Sequence, residues 1–130
     1  MKCIDSDFLI AVLRADKGAE KTMATLDQEG SIATTVINAY EILIGAKKSL
    51  HREDNLKEAR KLLAKFHIMN MDLDSAEIAS DIYSELSSEG NIIDLRDIFI
   101  ASISLSHGAK IVTRNEKDFS RVKGLQIERW

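Results

Sequence analysis

Short apolar runs alternate with longer stretches of helical period, and this alternation predicts an α/β fold, a parallel sheet with helices on both faces. Two further observations agree with it. The 130 residues are 45% hydrophobic and 30% charged, which supplies one real core and an ordinary solvated surface. There is no proline and there are only 6 glycines, so few long irregular loops are expected and the chain reads as one domain over residues 1–130. No repeat, linker or low-complexity tract divides it.

The elements follow in order. Residues 2–5 form a short strand, and the run from Phe8 to Leu13 forms a helix that is apolar on all sides and therefore expected to be buried. Ala19, Met23 and Leu26 recur at helical spacing and mark a second helix, closed by Gly30. Residues 31–34 read as a strand, after which Thr34 or Thr35 caps a helix over 36–49. Beyond a break near His51, a stripe of Leu56, Ala59, Leu62, Leu63 and Phe66 predicts an amphipathic helix, followed by a strand over 67–71. Asp74 with Glu77 resembles a capping box, and Ala76, Ala79, Ile82, Tyr83 and Leu86 line one face of the helix behind it, which Gly90 ends. Asp94 opens a helix through Ser106, His107-Gly108 closes it, and strands are expected over 109–113 and 125–129.

Several function classes are excluded or left unsupported. Cys3 is the single cysteine, so there is no internal disulfide and no cysteine-based zinc site; it reads as a buried small hydrophobe. The 3 histidines lack metal-ligand spacing, which argues against zinc. Asp5 and Asp7 interrupt any secretory leader, and no apolar run is long enough to cross a bilayer, so a cytoplasmic setting without membrane attachment is expected. No Rossmann glycine fingerprint or P-loop is present. A net charge of −3 neither supports nor excludes a nucleic-acid substrate, because acids gathered around a metal lower the total while basic patches persist elsewhere.

Ligands of open parallel sheets bind beyond the carboxyl ends of the strands. That rule directs attention to Asp5, to the residues after Thr34, and to the segment after Thr113. Asp5 and Asp7 bracket Ser6 at the first strand–helix junction; helix capping by Ser6 or Asp7 explains one acid there but does not need both. Glu41 shares a helix face with Ile37 and Ile44, where an unpaired carboxylate costs several kcal/mol and either a metal or a basic side chain would compensate it. Asp97 has Ile100 and Ala101 on its face, and Asp94 with Asp97 also suits a helix start. Asn115 and Asp118 follow the apolar strand in what taken alone is an ordinary polar loop. The agreement of Asp5, Glu41, Asp97 and Asp118 in position is the signal. An oxygen-only donor set suits Mg²⁺, with Mn²⁺ as a substitute.

At these residues the chain resembles a PIN domain, in particular the VapC-type toxins of prokaryotic toxin–antitoxin pairs. The resemblance rests on the segment Cys3 to Ile10, on Glu41 after an apolar helical start, and most strongly on the order and spacing from Gly90 through Asp97 and Asn115 to Asp118-Phe119. It implies a three-layer α/β/α sandwich with a central parallel sheet, a metal-dependent endoribonuclease acting on an RNA such as tRNA or rRNA, a homodimer, and an antitoxin that blocks the site. It carries over Asp5, Glu41, Asp97 and Asp118 as the acidic quartet, with direct metal ligation mainly by Asp5 and Asp97. Ser6, Asp7, Asp94, Thr113 and Asn115 would line the site. Asp7 departs from the Asn or Ser expected at its position, and Asp94 is an additional acid.

Arg14, Arg96 and Arg114 are the phosphate-binding candidates nearest the quartet. Lys47, Lys48, Arg52, Lys57, Arg60, Lys61 and Lys65 could track an RNA backbone, but the interspersed Glu53, Asp54 and Glu58 favour a solvated face. Three other readings stand beside the toxin: a PIN nuclease of RNA maturation, a haloacid-dehalogenase-like phosphatase using the first Asp of Asp5-Ser6-Asp7 as nucleophile, and a catalytically silent PIN-like scaffold.

Overall fold

A computed structural model describes all residues, Met1–Trp130. The strands are β1 (Lys2–Ile4), β2 (Ile32–Thr35), β3 (His67–Met69), β4 (Lys110–Val112) and β5 (Ile127–Glu128). The helices are α1 (Ser6–Leu13), α2 (Lys17–Glu29), α3 (Val36–Lys47), α4 (Arg52–Leu63), α5 (Leu73–Ser88), α6 (Leu95–Ser106) and α7 (Glu116–Phe119). The sheet runs β3-β2-β1-β4-β5 and every pairing is parallel. The expected three-layer α/β/α sandwich is the observed one.

The pleat explains the layers, because successive strand residues point to opposite faces. Ile4 and Val112 pack with Phe8, Leu9, Met23, Leu26, Ile42, Leu56 and Leu62, the faces of α1 to α4. Their neighbours Cys3 and Ile111 turn the other way, Cys3 toward Met69 and Ile103, and Ile111 toward Ile82, Ile98, Ile100 and Phe119 of α5 to α7. Cys3 is fully buried as expected, and burial pushes its thiol up to about 12, so it is inert.

Strand order reverses at β1. From β1 the sheet builds outward through β2 and β3, then returns to place β4 on the other side of β1. The cleft at the carboxyl ends of β1 and β4 is the topological switch point, where open α/β sheets bind ligands.

Four expectations are corrected. α1 is not buried all round: Ile10 and Leu13 are each 37% exposed, since only the side carrying Phe8 and Leu9 meets the core. The cap of α5 is Asp72, not Asp74. Its carboxylate accepts from the Ser75 backbone N–H, and the Ser75 hydroxyl in turn takes the Asp72 N–H. Tyr83 lies outward, 49% exposed, because the α5 stripe narrows to Ala79, Ile82 and Leu86. The polar loop expected after Thr113 contains the single-turn helix α7, which seats Phe119 in the core and thereby fixes Asp118. The lysines and arginines of α3, α4 and the following turn are exposed, as a solvated face requires.

Candidate active site

Asp5 lies one residue beyond β1, and its N–H still bonds to the Val112 carbonyl at 3.0 Å, so the sheet itself sets its position. It is also the N-cap of α1, in extended conformation. Its Oδ1 accepts from the Ser6 N–H at 2.8 Å and from the Asn38 side-chain amide at 3.0 Å. Its Oδ2 accepts from the Thr113 hydroxyl at 2.7 Å. Asp5, not Ser6 or Asp7, therefore caps the helix, and three elements converge on one carboxylate.

Glu41 projects from the second turn of α3. Its Oε1 accepts from the Ser6 hydroxyl at 2.9 Å, and Arg96 Nη1 stands 3.7 Å from Oε2. The compensating basic side chain considered for Glu41 thus exists, but Arg96 is exposed and commits most of its guanidinium elsewhere. It forms a bidentate pair with Asp94, Nε to Oδ1 at 3.1 Å and Nη2 to Oδ2 at 3.2 Å. Asp94 also caps α6, accepting from the Arg96 N–H at 2.8 Å, and these bonds hold its carboxyl below the usual range. Asp94 is thus a capping and pairing residue at the rim.

Asp97, in the first turn of α6, is half-buried and receives one bond, from the Asn115 amide at 3.3 Å. Burial pushes its carboxyl up to about 7, with further upward pressure from the charges of Asp5, Asp94, Glu41 and Asp118. Asp5 rises to about 6, chiefly through burial, with the Thr113 bond working in the opposite direction. Asp118 is half-buried in α7, with Arg121 Nη1 4.0 Å from its Oδ1. The structure thus brings the whole expected quartet into one electrostatic neighbourhood with more negative charge than its cations balance.

Asp7 has a different task. Its Oδ2 accepts from the Arg114 N–H at 2.8 Å and from the Thr113 hydroxyl at 3.3 Å, and its Oδ1 from the Trp130 indole N–H at 3.0 Å. Trp130 packs edge-on against Phe8 with ring centroids 5.1 Å apart. The Arg114 guanidinium lies over the Trp130 ring, 3.5 Å from its centroid, and Arg114 Nε donates to the Trp130 carbonyl at 3.0 Å. Asp7 therefore clasps the end of β4 to the Trp130 segment, and Arg114 is held in that clasp. Arg14, the C-cap of α1, lines a groove of about 350 Å³ with Ile10, Leu13, Glu41 and Ile42, which meets the site at Glu41.

No three acidic, histidine or cysteine side chains are gathered closely enough to hold a metal ion together. An all-oxygen donor set with excess negative charge still fits a hard divalent cation, since Mg²⁺ is usually held by one or two carboxylates and keeps several waters. Thr35, one of the two cap candidates read from the sequence, is the N-cap of α3, but sequence reasoning missed Asn38 and Trp130. The Thr35-x-x-Asn38 spacing at a helix start was a usable signal for Asn38; nothing local pointed to Trp130.

The PIN domain family model matches residues 2–125. The chain belongs to the PIN domain family. It is 32% identical over 94 residues to the tRNA(fMet)-specific endonuclease VapC of Salmonella typhimurium, covering 72% of this chain and 71% of that protein. It is 28% identical over 127 residues to the protein of the same name from Shigella flexneri, covering 98% and 96%. The crystal structure of DNA-bound VapBC from Salmonella typhimurium superposes with a TM-score of 0.90 at 26% identity, over 100% of this chain and 99% of that one. Within the family the chain is of the VapC type. The phosphatase reading is left without support.

Proposed function

We propose that this chain is a Mg²⁺-dependent endoribonuclease, active in the cytoplasm as the toxin of a VapBC-type toxin–antitoxin pair. The observation that carries the metal dependence is the under-compensated acidic quartet, with Asp97 pushed up to about 7 by burial and surrounding carboxylates. The ribonuclease reading is supported by the names of the VapC relatives, two of which are tRNA(fMet)-specific endonucleases. An antitoxin partner is supported by relatives solved as VapBC complexes, one of them described as a member of the VapBC family of toxin–antitoxin systems. A homodimer accords with the exposed Val36 and Tyr40 on the outer side of α3.

Asp5 and Asp97 would hold the ion. With Mg²⁺ bound, the site gains Lewis-acid stabilisation of the leaving oxygen and a water of lowered pKa. Glu41, kept in place by Ser6, and Asp118, fixed by α7, would orient an attacking water. The Asn115 amide donates to Asp97 Oδ2 and would help to hold that carboxylate in place. Arg96 sits at the rim, where it can leave Glu41 for a substrate phosphate, and Arg14 offers a second contact along the groove. Because water and not the 2′-hydroxyl attacks, the products carry a 5′-phosphate and a 3′-hydroxyl.

The test is incubation of the purified protein with labelled tRNA(fMet) and with total RNA, in Mg²⁺ or Mn²⁺ against EDTA, beside Asp5→Asn and Asp97→Asn. Cleavage should need metal and fall by about 10²–10⁴-fold in each variant, the range commanded by an essential positioned carboxylate. Cleavage that persists in EDTA, or a 2′,3′-cyclic phosphate product, overturns the mechanism. Failure to cut any RNA while Mn²⁺ still binds would favour a silent scaffold.

A further inference from the structure

Asn38 is the most heavily bonded side chain at the site and stands outside the acidic quartet. It is fully buried in the first turn of α3. Its Oδ1 accepts from the Thr35 N–H at 3.2 Å and the Thr35 hydroxyl at 2.7 Å. Its Nδ2 donates to Asp5 Oδ1 at 3.0 Å and to Ser6 Oγ at 2.8 Å. The amide can point only this way. A backbone N–H can only donate, so the atom facing Thr35 must be the oxygen; an ionised carboxylate can only accept, so the atom facing Asp5 must be the nitrogen. No buried side-chain nitrogen or oxygen in the molecule lacks a partner, so the network has no slack for a flipped arrangement.

The polarity runs onward. Ser6 Oγ takes a hydrogen from Asn38, and its own hydrogen goes to Glu41 Oε1. Donation thus passes from Thr35 through Asn38 and Ser6 to Glu41, with a branch to Asp5. At Asp5, Oδ1 is filled by the Ser6 and Asn38 hydrogens, while Oδ2 carries only the Thr113 bond and keeps a lone pair.

We propose that Asn38 is a positioning residue that ties Asp5 and Glu41 into one rigid unit and leaves Oδ2 as the oxygen Asp5 offers to a divalent cation. This rests on the reading of Asp5 as a metal ligand. Removing a hydrogen-bond partner of a metal ligand typically weakens metal affinity by about 10–100-fold.

The experiment is titration with Mn²⁺ followed by the electron paramagnetic resonance of free ion, without RNA, on wild type, Asp5→Asn, Asn38→Ala, Thr35→Ala and Ser6→Ala, with a thermal melt of each. Asn38→Ala should bind Mn²⁺ about tenfold or more weakly. Thr35→Ala removes the helix cap but neither amide hydrogen, so it should lower the melting temperature and keep affinity within about twofold of wild type. Equal losses in Asn38→Ala and Thr35→Ala would mean that Asn38 serves only the helix end, and the proposal falls. It falls also if Asn38→Ala binds as wild type while Asp5→Asn does not. Unchanged binding in Asp5→Asn instead removes the reading on which the proposal rests. Should Asn38→Ala fail to fold, Ser6→Ala decides: it breaks the branch to Glu41 at the first residue of α1 and should weaken Mn²⁺ binding, and unchanged affinity overturns the coupling.

Discussion

Asp5 and Asp97 lie at the same end of the sheet, yet their surroundings are built differently. Asp5 is 6% exposed and fastened by bonds from Ser6, Asn38 and Thr113, which come from three separate elements. Asp97 is more open, receives one long bond from Asn115, and faces the charges of the other acids. The first is organised by the protein alone. The second is left with an electrostatic deficit that an added cation would fill. A site of this kind folds around one fixed anchor and keeps its other pole ready to respond to a ligand, because compensating both carboxylates internally would remove the attraction for metal.

The largest test of this contrast is the stability of two alanine variants in metal-free buffer at pH 8. Asp5→Ala orphans the Ser6 N–H and one Asn38 hydrogen and removes the cap of α1, so urea unfolding should show a loss of about 1–3 kcal/mol. Asp97→Ala removes a repelled charge and one weak bond, so its stability should equal or exceed that of wild type. Equal destabilisation in both variants would erase the distinction between the two poles.

A smaller effect concerns pH. Folding raises the carboxyl of Asp97 to about 7 and that of Asp5 to about 6, so the native state keeps protons that the unfolded chain has already released. The metal-free protein should therefore lose stability as pH rises from about 4 to about 7 and change little above that. Melting temperatures across that window should fall, Asp97→Asn should flatten the slope, and Mg²⁺ should raise the melting temperature more at pH 8 than at pH 5. A metal-free protein most stable at pH 8 would contradict the charge excess.

The smallest effect is expected at the rim. Arg96→Gln breaks the exposed pair with Asp94 and the contact with Glu41, which should leave the melting temperature almost unchanged. If Arg96 touches a substrate phosphate, the dependence of RNA affinity on salt should become shallower by about 0.7 in the logarithmic slope. A large drop in stability would instead make Arg96 part of the structural frame.

The comparison also separates what could be read early from what could not. Asp97 was legible because its neighbours Ile100 and Ala101 are local, one helical turn away, and a carboxylate on that face declares its cost. The helix stripes and the β/α alternation were legible for the same reason, since periods of two and 3.6 residues are short-range. The exposed side of α1 was not, because an all-apolar helix does not say which of its faces meets a neighbour. Nor was the clasp of Asp7, whose partners Arg114 and Trp130 are 107 and 123 residues away.

By itself, then, the sequence determined the class of fold, the order of its elements, and which carboxylates are expensive enough to require an explanation. These depend on local periodicity, on composition and on the chemistry of single residue types. Only the tertiary structure decided that Asp5 and not its neighbours caps α1, that Asn38 links Asp5 to Ser6, and that Asp7 fastens Trp130. Apart from the cap, each of these is a directional bond between atoms from different elements. Such bonds exist only once the sheet has brought the ends of β1, β2 and β4 together, because hydrogen bonding requires a matched donor and acceptor at about 3 Å, and spacing along the chain carries no such distance.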